Sequence, residues 1–320
     1  MWDYRQTFLH IVSVALASTL DKILKRADCI IHLFTIFICI SLLILLLLFP
    51  GVAHEGTDLG VHLFMEALFP YLLPYLILTG WLLRMTAKHT AHPFLLYLKT
   101  YAISAIGGFP TGAASIIQLV KTEELSKKEA AILLGICHCP SPLFVLGYVG
   151  LDLLGDTSIS WKYLFLLHSF SLVLLSIVYY RLPHKKNNKV ALISTRNAFS
   201  NSVKDSMPTV FIVSATIIFF TTIYTVIMHS MSKFFHFNDI VQILFASILE
   251  MTNGLQLMSE HLTNNLLIIG LITGLTAQSL SIHMQILVIA KTGSVAIRPY
   301  IFIRLFYMVS IPSLYWLLFM

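Results

Sequence analysis

Two short clusters hold most of the residues able to bind or transform a solute. The first is Gly108-Phe109-Pro110-Thr111-Gly112, with Ser141 further on; the second is Glu250-Met251-Thr252-Asn253-Gly254, with Gln278, Ser279 and His283 further on. Both interrupt apolar stretches. Gly108, Pro110, Gly112 and Gly254 are residues at which a helix breaks or begins again. A half-helix starting at such a break presents free backbone N–H groups and the positive end of its dipole, a setting suited to a carboxylate. Thr111, Ser141, Thr252, Asn253, Gln278 and Ser279 add neutral hydrogen-bonding groups, so the set suits binding of a small polar or anionic solute. The plainer reading is that small and hydroxyl residues let helices pack closely. Nothing here resembles reaction machinery: HExxH, GxSxG, a phosphate-cradling glycine loop and an Asp-rich diphosphate motif are all missing from the sequence, and no enzymatic activity is expected.

Three further residue types need weighing. Glu250 is the acid expected at greatest depth in the membrane, where charge is expensive and usually functional. It is open to three roles: a protonated relay, a site for a coupling cation, or a strut to the opposite hairpin. His283 is the second candidate for a coupling ion or proton; like His138, it is equally readable as a packing histidine. Cys137-His138-Cys139 suggests a soft metal, but adjacent residues on a helix point apart and no second ligand pair lies nearby. No metal and no other cofactor is expected. Arg304, shortly inside the last apolar run, is expected to snorkel to the surface.

The elements that must position these residues follow from composition. Of 320 residues, 57% are hydrophobic and only 11% charged, whereas a soluble domain carries about a quarter charged residues. The chain is therefore expected to be an all-α integral membrane protein. The formal net charge is +6, but no run of bases and aromatics lies outside the apolar spans, which excludes a nucleic-acid partner. The four cysteines, Cys29, Cys39, Cys137 and Cys139, fall in apolar segments, as reduced buried thiols do. The partners expected are a small-molecule substrate and the lipid bilayer; a homo-oligomer is compatible with the composition.

Along the chain, residues 1–28 read as an amphipathic helix on the membrane surface. About seven transmembrane helices follow, near 30–49, 62–85, 130–150, 164–180, 207–228, 266–290 and 300–320. The segment 101–120 holds three glycines and a proline, and basic residues (Lys99, Lys121, Lys127, Lys128) flank both its ends. It reads as a re-entrant helical hairpin entering and leaving on the cytoplasmic face. By the same logic 240–258 is a re-entrant hairpin from the opposite face. Only Lys162 and Lys233 then lie outside, with the N-terminus cytoplasmic and the C-terminus outside. The domains expected are a first membrane repeat at 29–181, a basic cytoplasmic linker at 182–206 and a second repeat at 207–320. Pro70 corresponds to Pro208 and Ser141 to Ser279 at one common offset, and Gly112 to Gly254 at nearly the same one. The two repeats run in opposite senses across the membrane, which is a transporter architecture.

Several of these stretches also carry a family resemblance. Gly108-Phe109-Pro110-Thr111-Gly112, Leu125-Ser126-Lys127-Lys128-Glu129-Ala130 and Pro142-Leu143-Phe144-Val145-Leu146-Gly147 stand in the first half. Glu250 to Gly254, Ser281-Ile282-His283-Met284-Gln285 and Arg298-Pro299-Tyr300 through Arg304 follow in the second. In this order they resemble the sporulation integral membrane protein YlbJ family, within the group carrying the nucleoside recognition (Gate) domain, over residues 35–318. The resemblance implies a transporter for dipicolinic acid in sporulation, a multi-pass protein of the cell membrane or the outer forespore membrane. Two other roles stand beside it: a non-transporting scaffold or signalling protein needed for spore formation, and transport of nucleosides or metal ions as in the wider group. The chain departs from the family at His138, Cys139 and Pro140, at Ala113 and Ala114, and at Gln278 and Ser279.

Overall fold

The computed structural model describes residues 31–86, 93–182 and 197–320. The expected surface helix at 1–28 and most of the expected linker lie outside the described residues. The chain divides into two units, Met1–Ala53 and His54–Met320. The first contains α1 (Ile31–Leu48), an unbroken apolar span. It runs into α2 (Pro50–His62), which crosses the unit boundary.

The second unit is helical throughout its regular elements. A π-helical stretch, Leu63–Leu68, joins α2 to α3 (Phe69–Thr86). Pro70 lacks an N–H and its ring crowds the carbonyl four residues back, and the helix widens just upstream of it. Helix α4 (Pro93–Gly107) and α5 (Thr111–Lys121) pack on each other as a hairpin. Helix α6 (Lys127–Ile136) starts at a capping box, in which Ser126 and Glu129 each accept the other's backbone N–H. After an irregular segment comes a second π-helical stretch, Phe144–Leu153, and then α7 (Ser158–Arg181). In the turn before α7, the exposed Asp156 carboxylate accepts the Ser158 hydroxyl and its N–H, which hold its titration below the usual carboxylate range.

Helix α8 (Ala198–Ser232) begins inside the linker expected at 182–206. Helices α9 (Asp239–Leu249) and α10 (Met251–His261) form the second hairpin, and Asn238 caps α9 by accepting the Val241 N–H at 3.0 Å. Helices α11 (Asn264–Ala277) and α12 (Leu280–Thr292) follow, and α13 (Arg298–Phe319) closes the chain.

Among the described residues five spans are long and apolar enough to cross a membrane: Ile31–Leu48, Ser158–Arg181, Ala198–Ser232, Asn264–Thr292 and Arg298–Phe319. The count differs from the expected seven for a physical reason. Pro140 and Pro142 cut the run near 130–150, leaving α6 and the Phe144–Leu153 stretch too short singly. Near 62–85, the π-helical stretch leaves Leu72–Met85 as a shorter apolar helix. The run near 266–290, expected as one helix, is interrupted at Gln278 and Ser279. Exposed Phe165 and Val173 on α7 and Phe302, Val309 and Leu317 on α13 form apolar outer faces that suit lipid.

Candidate functional site

The first hairpin turns at Gly108 and Pro110. Gly108 has φ +69°, and a Cβ there would stand 2.5 Å from the Ser141 backbone nitrogen, so glycine is required at this contact with the first broken span. Helix α5 then begins at Thr111 with Pro110 as N-cap and no side-chain cap. The Thr111 hydroxyl is buried and has no partner. Beside it lies a cleft of about 290 Å³ between α3, α5, α8 and α12. From a mouth at Arg84, Lys121 and Asp205 it descends past Gln118 and Ser115 to Thr111. Arg84 forms an ion pair with Asp205 and donates through Nε to the Ser202 hydroxyl at 3.2 Å, tying α3 to α8 at that mouth.

The second hairpin turns at Glu250. Its Oε2 accepts the Asn253 N–H at 2.9 Å and its Oε1 the Thr252 hydroxyl at 3.3 Å, so the carboxylate caps α10. The half-helix thus starts at Met251 rather than near Gly254, and its N-terminus is already capped by a carboxyl group. Asn253 donates its side-chain amide to the Thr221 hydroxyl on α8 at 3.3 Å. A Cβ at Gly254 would meet the Ser247 Cα at 2.5 Å, and one at Gly112 would meet the Ser104 hydroxyl at 2.8 Å and the Cys137 carbonyl oxygen at 2.9 Å. In each hairpin, then, this glycine lets one arm approach the other.

Between the two turns Phe109, Glu250, Met251, Thr252 and Gln285 enclose a void of about 20 Å³, room for one water. Of the ten residues expected to line a substrate site, Thr111 lines the cleft and Thr252 lines this void. Gly108, Pro110, Gly112, Ser141, Asn253, Gly254, Gln278 and Ser279 border neither.

The broken spans supply the rest. Ser141 accepts the Phe144 N–H at 3.2 Å and so caps the stretch that follows it. Gln278 stands at φ +65°, ψ −173°, a region that is essentially glycine-only and strained for other residues. The Ser279 hydroxyl is buried without a partner, and the buried Gln278 amide and His138 ring lie near one another without a hydrogen bond of normal geometry. The His138 ring lies 5.4 Å from that of Phe109 and 5.5 Å from that of Tyr300.

His283 Nε2 contacts the Ala277 carbonyl oxygen at 3.2 Å and must donate to it, while Nδ1 meets the Tyr300 hydroxyl at 2.7 Å. Both nitrogens are therefore engaged in packing α12 against its surroundings. Arg304 overturns the expectation of snorkelling: it is 4% exposed. It donates to the carbonyl oxygens of His138 at 2.9 Å and Thr276 at 2.6 Å, and lies over the Tyr307 ring at 5.0 Å. An arginine inside an apolar run was the available signal for it; its partners, 166 and 28 residues away, were not. Among the described residues no three His, Cys, Asp or Glu side chains converge to hold a metal ion. No protein-family model, no curated protein and no solved structure matches the chain.

Proposed function

We propose that this chain is a multi-pass membrane transporter for a small polar or anionic solute, and that dipicolinate, the cargo implied by the resemblance to the YlbJ family, is its substrate. One observation carries the reading: the cleft of about 290 Å³ is lined by Thr111, the first residue of α5, a helix start that has no side-chain cap and whose buried Thr111 hydroxyl has no partner. A carboxylate in the cleft beside Thr111 lies close to the positive end of the α5 dipole. The mouth carries Arg84 and Lys121 against Asp205, a net positive charge that favours entry of an anion. The order of elements supports a two-repeat architecture. Helix α3, the α4–α5 hairpin, a broken span and α7 succeed one another, and α8, the α9–α10 hairpin, a broken span and α13 do the same. With the basic loops cytoplasmic, the two sets run in opposite senses, and the cleft opens inward.

A second reading, a non-transporting scaffold, is favoured by the small space, about 20 Å³, left where Phe109 of the first turn and Glu250 of the second line one void. In the transport reading that narrowing is the shut outer gate of an inward-facing state. Uptake of labelled dipicolinate into vesicles holding only this protein separates the two. The transporter gives saturable uptake above protein-free vesicles, and Gln118→Trp, which fills the cleft, abolishes it. The scaffold gives none, with the protein fully inserted.

A further inference from the structure

Arg304 on α13 is buried, yet among the described residues no carboxylate pairs with it. Its two hydrogen bonds go to backbone carbonyls at the ends of two half-helices. Helix α6 finishes at Ile136, so the His138 carbonyl lies just past its last turn; the Thr276 carbonyl lies in the last turn of α11. A helix C-terminus carries about half a negative charge, so two together offset one positive charge with no acid present. The Tyr307 ring face adds a further favourable contact for the cation.

Half-helix C-termini and unwound carbonyls are the groups that coordinate a coupling Na⁺ or H⁺ in transporters built from broken helices. Here a guanidinium already occupies both ends. It keeps its proton in proteins, so its charge is permanent. Glu250 is placed in the complementary way, its carboxyl group capping a half-helix N-terminus.

We propose that Arg304 is a built-in counter-cation at the crossing of the two broken spans, so that this chain folds, and carries its solute, without a bound alkali-metal cation. The statement about transport rests on the transporter reading above; the statement about the fold does not.

The test has two independent readouts. Purified wild-type protein is melted at equal ionic strength in sodium, potassium or N-methyl-D-glucamine chloride. The expected midpoints agree within about 1 °C; a rise beyond that in Na⁺ or K⁺, which occupancy at a hundredfold Kd would make about 5 °C or more, overturns the proposal. Arg304→Met, which keeps length and loses charge, is expected to melt lower in N-methyl-D-glucamine and to be partly restored by Na⁺ or K⁺. Arg304→Lys stays insensitive to the cation. A Met variant as stable as the parent in N-methyl-D-glucamine shows that the carbonyls need no cation, and the idea fails; if that variant does not insert, the wild-type and Lys melts decide. In vesicles, dipicolinate uptake is expected within about twofold in all three media, and a tenfold fall without Na⁺ or K⁺, about 1.4 kcal/mol, overturns ion independence. No uptake in any medium counts against the transporter reading, while the melts still judge Arg304.

Discussion

Glu250 Oε2 accepts the Asn253 backbone N–H at 2.9 Å, and this contact gives the second hairpin its own carboxyl cap at the start of α10. The first hairpin has no such group: α5 starts at Pro110 without a side-chain cap, and the Thr111 hydroxyl beside the cleft is unpartnered. The two turns, alike in sequence position, thus differ in what they leave free. The start of α5 has no side-chain cap, whereas the Glu250 carboxyl caps the start of α10.

Thr111→Val is the sharpest test of that asymmetry. The substitution preserves shape and removes a buried hydroxyl that has no partner, so stability is expected to stay level or rise by about 1 kcal/mol. Dipicolinate uptake is expected to fall about tenfold through loss of one hydrogen bond of about 1.4 kcal/mol. Melting and vesicle uptake, measured on the same preparation, check both halves; unchanged uptake would place the solute elsewhere.

Glu250→Ala removes an N-cap from a buried helix start, and a loss of about 1–2 kcal/mol in unfolding free energy is expected. Glu250→Gln keeps an acceptor for the Asn253 N–H and should lose less than half as much. Reversible unfolding in mixed micelles measures the pair. Equal losses in the two variants would show that the charge, rather than the cap, carries the stability.

At Gly254 an added methyl meets backbone, the Ser247 Cα at 2.5 Å, which cannot rotate away. Gly254→Ala is expected to cost about 1–3 kcal/mol through overpacking, and Gly112→Ala a similar amount against Ser104 and the Cys137 carbonyl. Gly147→Ala has nothing within 4 Å of the new atom and should stay within about 0.5 kcal/mol. Melting midpoints of the three variants rank the contacts, and a Gly254 variant as stable as the Gly147 one would refute the close packing of α9 on α10.

Gln278 holds a backbone conformation suited to glycine without being one. Relief of that strain is worth about 1–3 kcal/mol, and glycine gives back about 0.5–1 kcal/mol through the more mobile unfolded chain. Gln278→Gly is therefore expected to raise stability by about 1 kcal/mol, whereas Gln278→Ala keeps the strain and gains nothing. Denaturant unfolding distinguishes them, and a destabilised Gly variant would mean that the side chain makes contacts worth more than the strain.

Much of this was local and so was written in the chain. The apolar runs require helices, because a backbone in lipid must satisfy its own hydrogen bonds. Gly108 with Pro110 must interrupt such a run, and Pro140 with Pro142 another. The Glu250 cap also lies within reach of sequence, since its partners are Thr252 and Asn253, two and three residues on. What tertiary structure alone decided is which broken ends meet and what remains between them. Gly112 and Gly254 read equally as solute contacts or as helix contacts, until Ser104, Cys137 and Ser247 turn out to fill the space. Arg304 lies early in an apolar helix, and position along that helix suggests escape to water; the pull that holds it inside comes from the C-termini of α6 and α11. A helix dipole acts where its end points, and that direction is set by packing among distant segments rather than by neighbours along the chain.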